Sequence, residues 1–303
     1  MWAVLAVGTA VFYALNGAWS TRISRRIGPL LGAWTLFVFA LPFVGGVLAL
    51  RGLPPVEPGF WPAWGMNVVV NLGAWYLFFS ALRSGDLGIT YPLLALTPVF
   101  VVPVEWTLLG EAPAPVGLIG IALVVLGVYL LNIQTIRSGA FAPVAALARD
   151  PSARKALAVA LLWSVGGTLD RVAVLTSSPA FYAFMLSAGL AAGFLPMVLV
   201  ARQDAAGREG GRQDGRVGTA VRTLSAAGPA ALLVHGFLVA AMLTLQMEAL
   251  TLQLASYVLS IKRTGAVLAV LIGYVAFREQ GLGARLLGTL VAVAGAVLLM
   301  TSQ

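Results

Sequence analysis

Apolar residues run along this chain in long, nearly unbroken stretches, separated by short polar or charged clusters. There is little of the strict alternation of a half-buried strand or the one-sided stripe of a soluble helix. A bilayer core of ~30 Å needs about 20 such residues per helix. Ten segments qualify: 2–22, 30–50, 61–82, 87–108, 114–133, 155–175, 180–201, 226–248, 254–277 and 282–301. The predicted fold class is an all-α integral membrane protein with ten transmembrane helices. Glycines and prolines fall inside several spans, where neighbouring helices can re-satisfy the backbone. The polar, glycine-rich stretch 203–223 reads as a solvated flexible loop, taken as 202–224.

Composition strengthens this reading. The chain of 303 residues is 60% hydrophobic and 10% charged, with a mean hydropathy of +0.94. That is too little charge to cover a soluble protein of this size. With no cysteine and one histidine, disulfides, thiol nucleophiles and multi-histidine metal sites are excluded. No phosphate-cradling nucleotide loop occurs, and no nucleophile–base set suggests an enzyme. No cofactor, metal or obligatory protein partner is expected. The partners expected are the lipid bilayer and a small molecule.

The net charge of +8 has no nucleic acid to answer to. Arg22, Arg25 and Arg26 follow segment 1, Arg83 follows segment 3, and further clusters follow segments 5, 7 and 9. Only Arg51, Arg171, Lys262 and Arg263 lie elsewhere. By the positive-inside rule both termini are expected outside the cytoplasm, with the chain in a bacterial inner membrane. No basic residue precedes segment 1, so it reads as an anchor rather than a cleaved signal.

The two halves resemble one another. ALRSGDLGITYPLLALTPVFVVPVEWTLLGE, starting at Ala81, aligns without a gap on ALTLQLASYVLSIKRTGAVLAVLIGYVAFRE, starting at Ala249 and 168 residues further on. Glu111 falls on Glu279, Gly120 on Gly288, Gly127 on Gly295 and Leu131 on Leu299. A weaker match sets residues 17–22 on 166–171. Each half holds five spans, so the second copy inserts upside down, the 5+5 inverted repeat recurrent in secondary transporters. The expected units are residues 1–133, a connecting loop 134–154, and residues 155–303.

On LTPVFVVPVEWTLLGE…GLIGIALVVLGVYLLN and its second copy AVLAVLIGYVAFRE…RLLGTLVAVAGAVLLM, the chain resembles the drug/metabolite transporter superfamily, specifically its ten-helix EamA-type members. The resemblance covers essentially the whole chain. It implies a 5+5 carrier with a central cavity, working by alternating access, and names no substrate. One departure is orientation: many relatives carry basic residues after the second helix and have cytoplasmic termini.

Within segment 9 stand Lys262 and Arg263. A central charge costs ~2.5–3.5 kcal/mol on insertion scales, so both are expected to face the interior or a wet cavity. Adjacent helical residues project ~100° apart and can line two walls of one cleft. The repeat-equivalent positions are Leu94 and Ala95, so the scaffold does not itself require charge there. Two readings stay open. The pair binds a phosphate, phosphonate or carboxylate, the guanidinium offering a planar fork and the ammonium a point charge. Alternatively it is an internal ion lock, with Glu248, Asp170 or Glu105 as counter-ion. Resemblance adds that the triose-phosphate translocator branch has an adjacent Lys-Arg in its ninth helix that holds substrate phosphate. The role is carried over and the substrate is not, because the surrounding residues match that branch poorly.

Further candidates for substrate binding are Asn67, Asn71 and Trp75 on one face of segment 3, His235 and Gln246 on segment 8, Asn16, and Tyr257. Each is equally explained by interhelical hydrogen bonding. Glu248, Asp170 and His235 are candidates for carrying a coupled proton. Pro92, Pro98 and Pro103 are expected to bend segment 4, with gating and ordinary packing both open. The function expected is secondary transport of a small anionic metabolite. The alternatives are export of amino acids or other neutral or cationic metabolites, with the pair as a lock, and flipping of a lipid or lipid-linked phosphate.

Overall fold

The computed structural model describes residues 1–27, 29–84, 93–132, 149–208, 228–265, 267–268 and 282–302. Among them are ten helices and no strand: α1 Trp2–Ile27, α2 Pro29–Arg51, α3 Phe60–Ser84, α4 Thr97–Leu109, α5 Pro115–Asn132, α6 Pro151–Leu175, α7 Pro179–Arg208, α8 Pro229–Leu252, α9 Ala255–Arg263 and α10 Leu282–Thr301. Four helical stretches among the described residues are long and apolar enough to cross a membrane: Leu30–Arg51, Pro151–Leu175, Pro179–Leu199 and Pro229–Leu252.

Helix ends follow readable chemistry. α6 begins at Pro151, four residues before the expected span, because the Asp150 side chain accepts from Ser152 N at 2.8 Å and caps the first turn. α7 runs to Arg208, into the expected loop. Residues 202–208, RQDAAGR, contain enough good helix formers to continue it. The remainder of that loop, 209–227, lies outside the described residues, as do 85–92, 133–148 and 269–281.

Outward faces are apolar: Val4, Val7, Val11 and Leu15 form an exposed stripe on α1. The interior is where polar groups gather, with Asn67, Glu105, Thr168, His235 and Ser260 fully or almost fully buried. This inversion suits a helix bundle in lipid, where polar side chains must find partners inside.

The most extensive helix pairs are α5–α10, α3–α6, α1–α8 and α2–α7. Exchanging the first five helices for the last five maps this set onto itself. Small residues bring α5 and α10 together. A Cβ on Gly127 would stand 2.6 Å from Ala292 Cα, and one on Gly295 would stand 2.6 Å from Val124 N. Such close backbone approach is how membrane helices gain dispersion energy without a hydrophobic drive.

The same backbone break recurs in the two halves. Leu93 and Leu94 are helical, a turn follows at Ala95–Leu96, and α4 starts at Thr97. α9 ends at Arg263, a turn follows at Thr264, and Gly265 is helical again. Leu96 N donates to Leu93 O at 3.2 Å, as Thr264 N does to Ile261 O at 3.0 Å. Val99 N donates to Leu96 O at 3.0 Å, as Val267 N does to Thr264 O at 2.8 Å. Each pair of bonds is related by the 168-residue shift seen in the sequence. In α4 the cause is Pro98, which has no N–H for Leu94 O; the Thr97 hydroxyl takes that acceptor instead, at 2.7 Å.

One end of the bundle is tied by polar contacts. Glu105, fully buried, accepts from Ala255 N at 2.6 Å and Ser256 N at 3.1 Å, capping α9. Arg171 donates to Leu250 O at 3.0 Å and to Gln253 O, and pairs with Glu111 at 2.9 Å. Arg51 pairs with Glu248 at 2.9 Å.

Candidate functional site

Eight helices enclose a cavity of about 130 Å³, room for a small solute or several waters. Its lining comes from α1–α4 and α6–α9; the α5–α10 pair contributes none of it. Lys262 and Arg263 both face it, half-buried, in the last turn of the α9 segment. Their mid-span position in the sequence thus becomes a helix C-terminus in the fold, where the backbone dipole favours cations.

The two side chains diverge to different walls. Lys262 Nζ donates to Gln246 Oε1 at 2.7 Å and lies 5.4 Å from the Tyr13 ring centroid. Arg263 donates to Tyr13 OH at 3.0 Å and to Thr97 Oγ1 at 2.9 Å. Its guanidinium carbon stands 5.5 Å from the Trp163 ring, within cation–π range. The proline break in α4 therefore reaches the site. Thr97 donates its proton to Leu94 O and so presents a lone pair to Arg263.

Asp170 is the one acid among the described residues of the cavity lining. Its Oδ1 accepts from Tyr182 OH at 2.6 Å and Asn67 Nδ2 at 2.7 Å, and its Oδ2 from Gln246 Nε2 at 3.2 Å. Gln246 thus stands between acid and ammonium. Only one orientation of its amide serves both partners. Among the described residues the ion pairs are Arg51–Glu248 and Arg171–Glu111. Neither Lys262 nor Arg263 has a carboxylate at ion-pair distance there. The described residues of the lining carry a formal charge of plus one.

The structure gathers Lys262, Arg263, Asn16, Asn71, Trp75, Gln246 and Asp170 around one cavity. Asn67 sits one turn behind Asn71, binding Asp170 and Gly166 O. Three expected residues are placed elsewhere. Glu248 projects ~200° from Gln246 on the same helix and pairs with Arg51 at the bundle end. Tyr257 packs on Trp2, ring centroids 6.2 Å apart, and against Gly117. His235 lies between α8 and α1, Nε2 2.8 Å from Ser20 Oγ, and reaches the cavity wall only through the Ser20–Asn16 contact of 3.3 Å. Glu105, a possible counter-ion on sequence grounds, is used as the α9 cap.

Tyr13, Thr97 and Trp163 line the site without having been singled out in the sequence. Two had a signal. Tyr13 precedes Asn16 by three residues, and Trp163 precedes Asp170 by seven, each on the same helix face. Thr97 had none, because its role depends on α9 approaching the α4 break.

One solved crystal structure superposes with a TM-score of 0.69 over 99% of this chain and 98% of its own, at 18% identity, a likeness of fold. No curated protein matches the sequence. Residues 1–133, the first five helices, match the EamA-like transporter family, a resemblance carried by that part of the chain.

Proposed function

We propose that this protein is a secondary transporter for a small anionic metabolite, with Lys262 and Arg263 binding the anionic group. The observation that carries the reading is the state of Arg263. Its guanidinium faces the cavity, yet its partners among the described residues are two neutral hydroxyls. A lock would spend this charge on a carboxylate. Here it is held in position with its charge unneutralised, which preorganises it for an incoming oxyanion.

The transport cycle in this reading is alternating access between two inverted five-helix units, 1–133 and 155–303, joined by 134–154. Support comes from the pairwise symmetry of the helix packing and the recurrent break in α4 and α9. Broken helices at equivalent places in two repeats flank the binding sites of many carriers. Both termini lie outside the cytoplasm of a bacterial inner membrane, as the basic loops suggest. The Gln246 bridge from Lys262 to Asp170 favours a second reading, in which the lysine is part of a lock and the cargo is neutral or cationic.

Ligand-dependent thermal stabilisation of the purified protein tests both. Anions stabilise the wild type, and K262Q/R263Q abolishes the shift while keeping the unliganded melting profile cooperative. Stabilisation by neutral or cationic solutes alone, unchanged in the double variant, would establish the lock.

A further inference from the structure

We propose that the cargo is a monoanion with an apolar, ring-sized body, bound acid-first at Arg263 with its body against Trp75 and Trp163. This rests on the anion reading above and narrows it. Charge sets the first condition. Among the described residues, Lys262 and Arg263 with Asp170 leave the lining at a formal plus one, which a ligand of charge minus one neutralises. A second acid group would bring like charge into a cavity that already holds Asp170, a cost that low dielectric enlarges.

The walls set the second condition. Trp75 and Trp163 stand edge to face, centroids 5.6 Å apart at 72°, and Phe37 extends the surface, 6.1 Å from Trp75 at 79°. Arg263 lies against the Trp163 face, so the cationic site and the aromatic wall are contiguous. Leu186 and Leu190 of α7 and Val239 and Leu243 of α8 complete the apolar side. Apart from the indole N–H groups of Trp75 and Trp163, none of these side chains can donate or accept a hydrogen bond. Most hydroxyls of a sugar-like body laid against this wall would be desolvated without partners, since the polar lining groups Asn16, Asn71 and Gln246 are not part of it. A ring loses nothing on that surface and gains offset or edge-on contact.

The experiment is a binding series on the purified full chain at one pH and salt concentration, read by melting temperature and by tryptophan fluorescence. The probes are acetate, phenylacetate, 1-naphthylacetate, succinate, glucose 6-phosphate, phenylalanine and phenethylamine. Affinity is expected to rise at least tenfold from acetate to phenylacetate, and naphthylacetate, too large for a cavity of about 130 Å³, should bind no tighter than phenylacetate. Succinate, glucose 6-phosphate and phenylalanine should bind at least tenfold more weakly than phenylacetate. R263Q should weaken every monoanion, whereas W163L, which keeps an apolar side chain but loses the ring against Arg263, should weaken the aryl acids about tenfold more than it weakens acetate. Equal or tighter binding of glucose 6-phosphate or succinate, lost in R263Q, would overturn this inference and leave the anion reading intact. Binding of phenethylamine or phenylalanine but no acid, indifferent to R263Q, would overturn both, as would binding of no probe at all.

Discussion

Glu105 is a buried carboxylate whose task is to hold the site helix, and its replacement by glutamine isolates that task. The isostere keeps one carbonyl oxygen for Ala255 N or Ser256 N but turns an NH₂ toward the other donor. A hydrogen bond to a charged group contributes ~1.5–3 kcal/mol, and a buried N–H left without an acceptor costs ~1–3 kcal/mol. The favourable interaction of the negative charge with the α9 N-terminus, up to ~2 kcal/mol when buried, is lost as well. These overlap, so E105Q should destabilise the fold by about 3 kcal/mol. At an unfolding entropy of ~2.1 cal/mol/K per residue, a chain of this length loses about 5 °C in Tm. Anion affinity should fall with it, because α9 is the element that carries Lys262 and Arg263. Thermal melts of the detergent-purified protein measure the first effect, and phenylacetate titration the second. The exposed E57Q serves as the control, expected within a degree of wild type. A Tm for E105Q within a degree of wild type would refute the assignment of this carboxylate as the α9 cap.

Other outcomes follow from the same structure. R171M removes the donors that hold Leu250 O and Gln253 O and breaks the pair with half-exposed Glu111; the expected cost is ~2–4 kcal/mol, seen as a Tm loss of several degrees. G127V forces side-chain atoms into the α10 backbone at Ala292 and should lower Tm sharply or abolish the monodisperse species on size exclusion, whereas G65A, whose Cβ meets nothing within 4 Å, should be tolerated. The chain has no cysteine, so single-cysteine variants report topology directly. An impermeant thiol reagent on intact cells should label E57C and leave G211C unlabelled until the membrane is opened; the reverse pattern would refute the orientation.

How much was legible varies by residue. Lys262 and Arg263 stood out because ionised groups are costly in an apolar span and the positions aligned with them in the first half are Leu94 and Ala95. Asn71, Gln246, Asn16 and Asp170 stood out for the same reason at lower cost. Glu248 looked equivalent to Gln246 on paper, since a count of polar residues within a span does not record which way each one faces. Its helix turns it toward Arg51 instead. Tyr257 was near the pair in sequence and faces Trp2 and Gly117 in space.

By itself the sequence determined the all-helical character of the chain and its apolar surroundings, because backbone groups in hydrocarbon must be satisfied within each segment. It also determined the cost of leaving two cations inside. The tertiary structure alone decided what meets them: which helix presents Gln246 rather than a carboxylate to Lys262, and which neutral hydroxyls hold Arg263. Those partners come from α8, α1 and α4, up to 250 residues away along the chain. Local periodicity carries no information about such encounters. They are settled by which helix faces pack together.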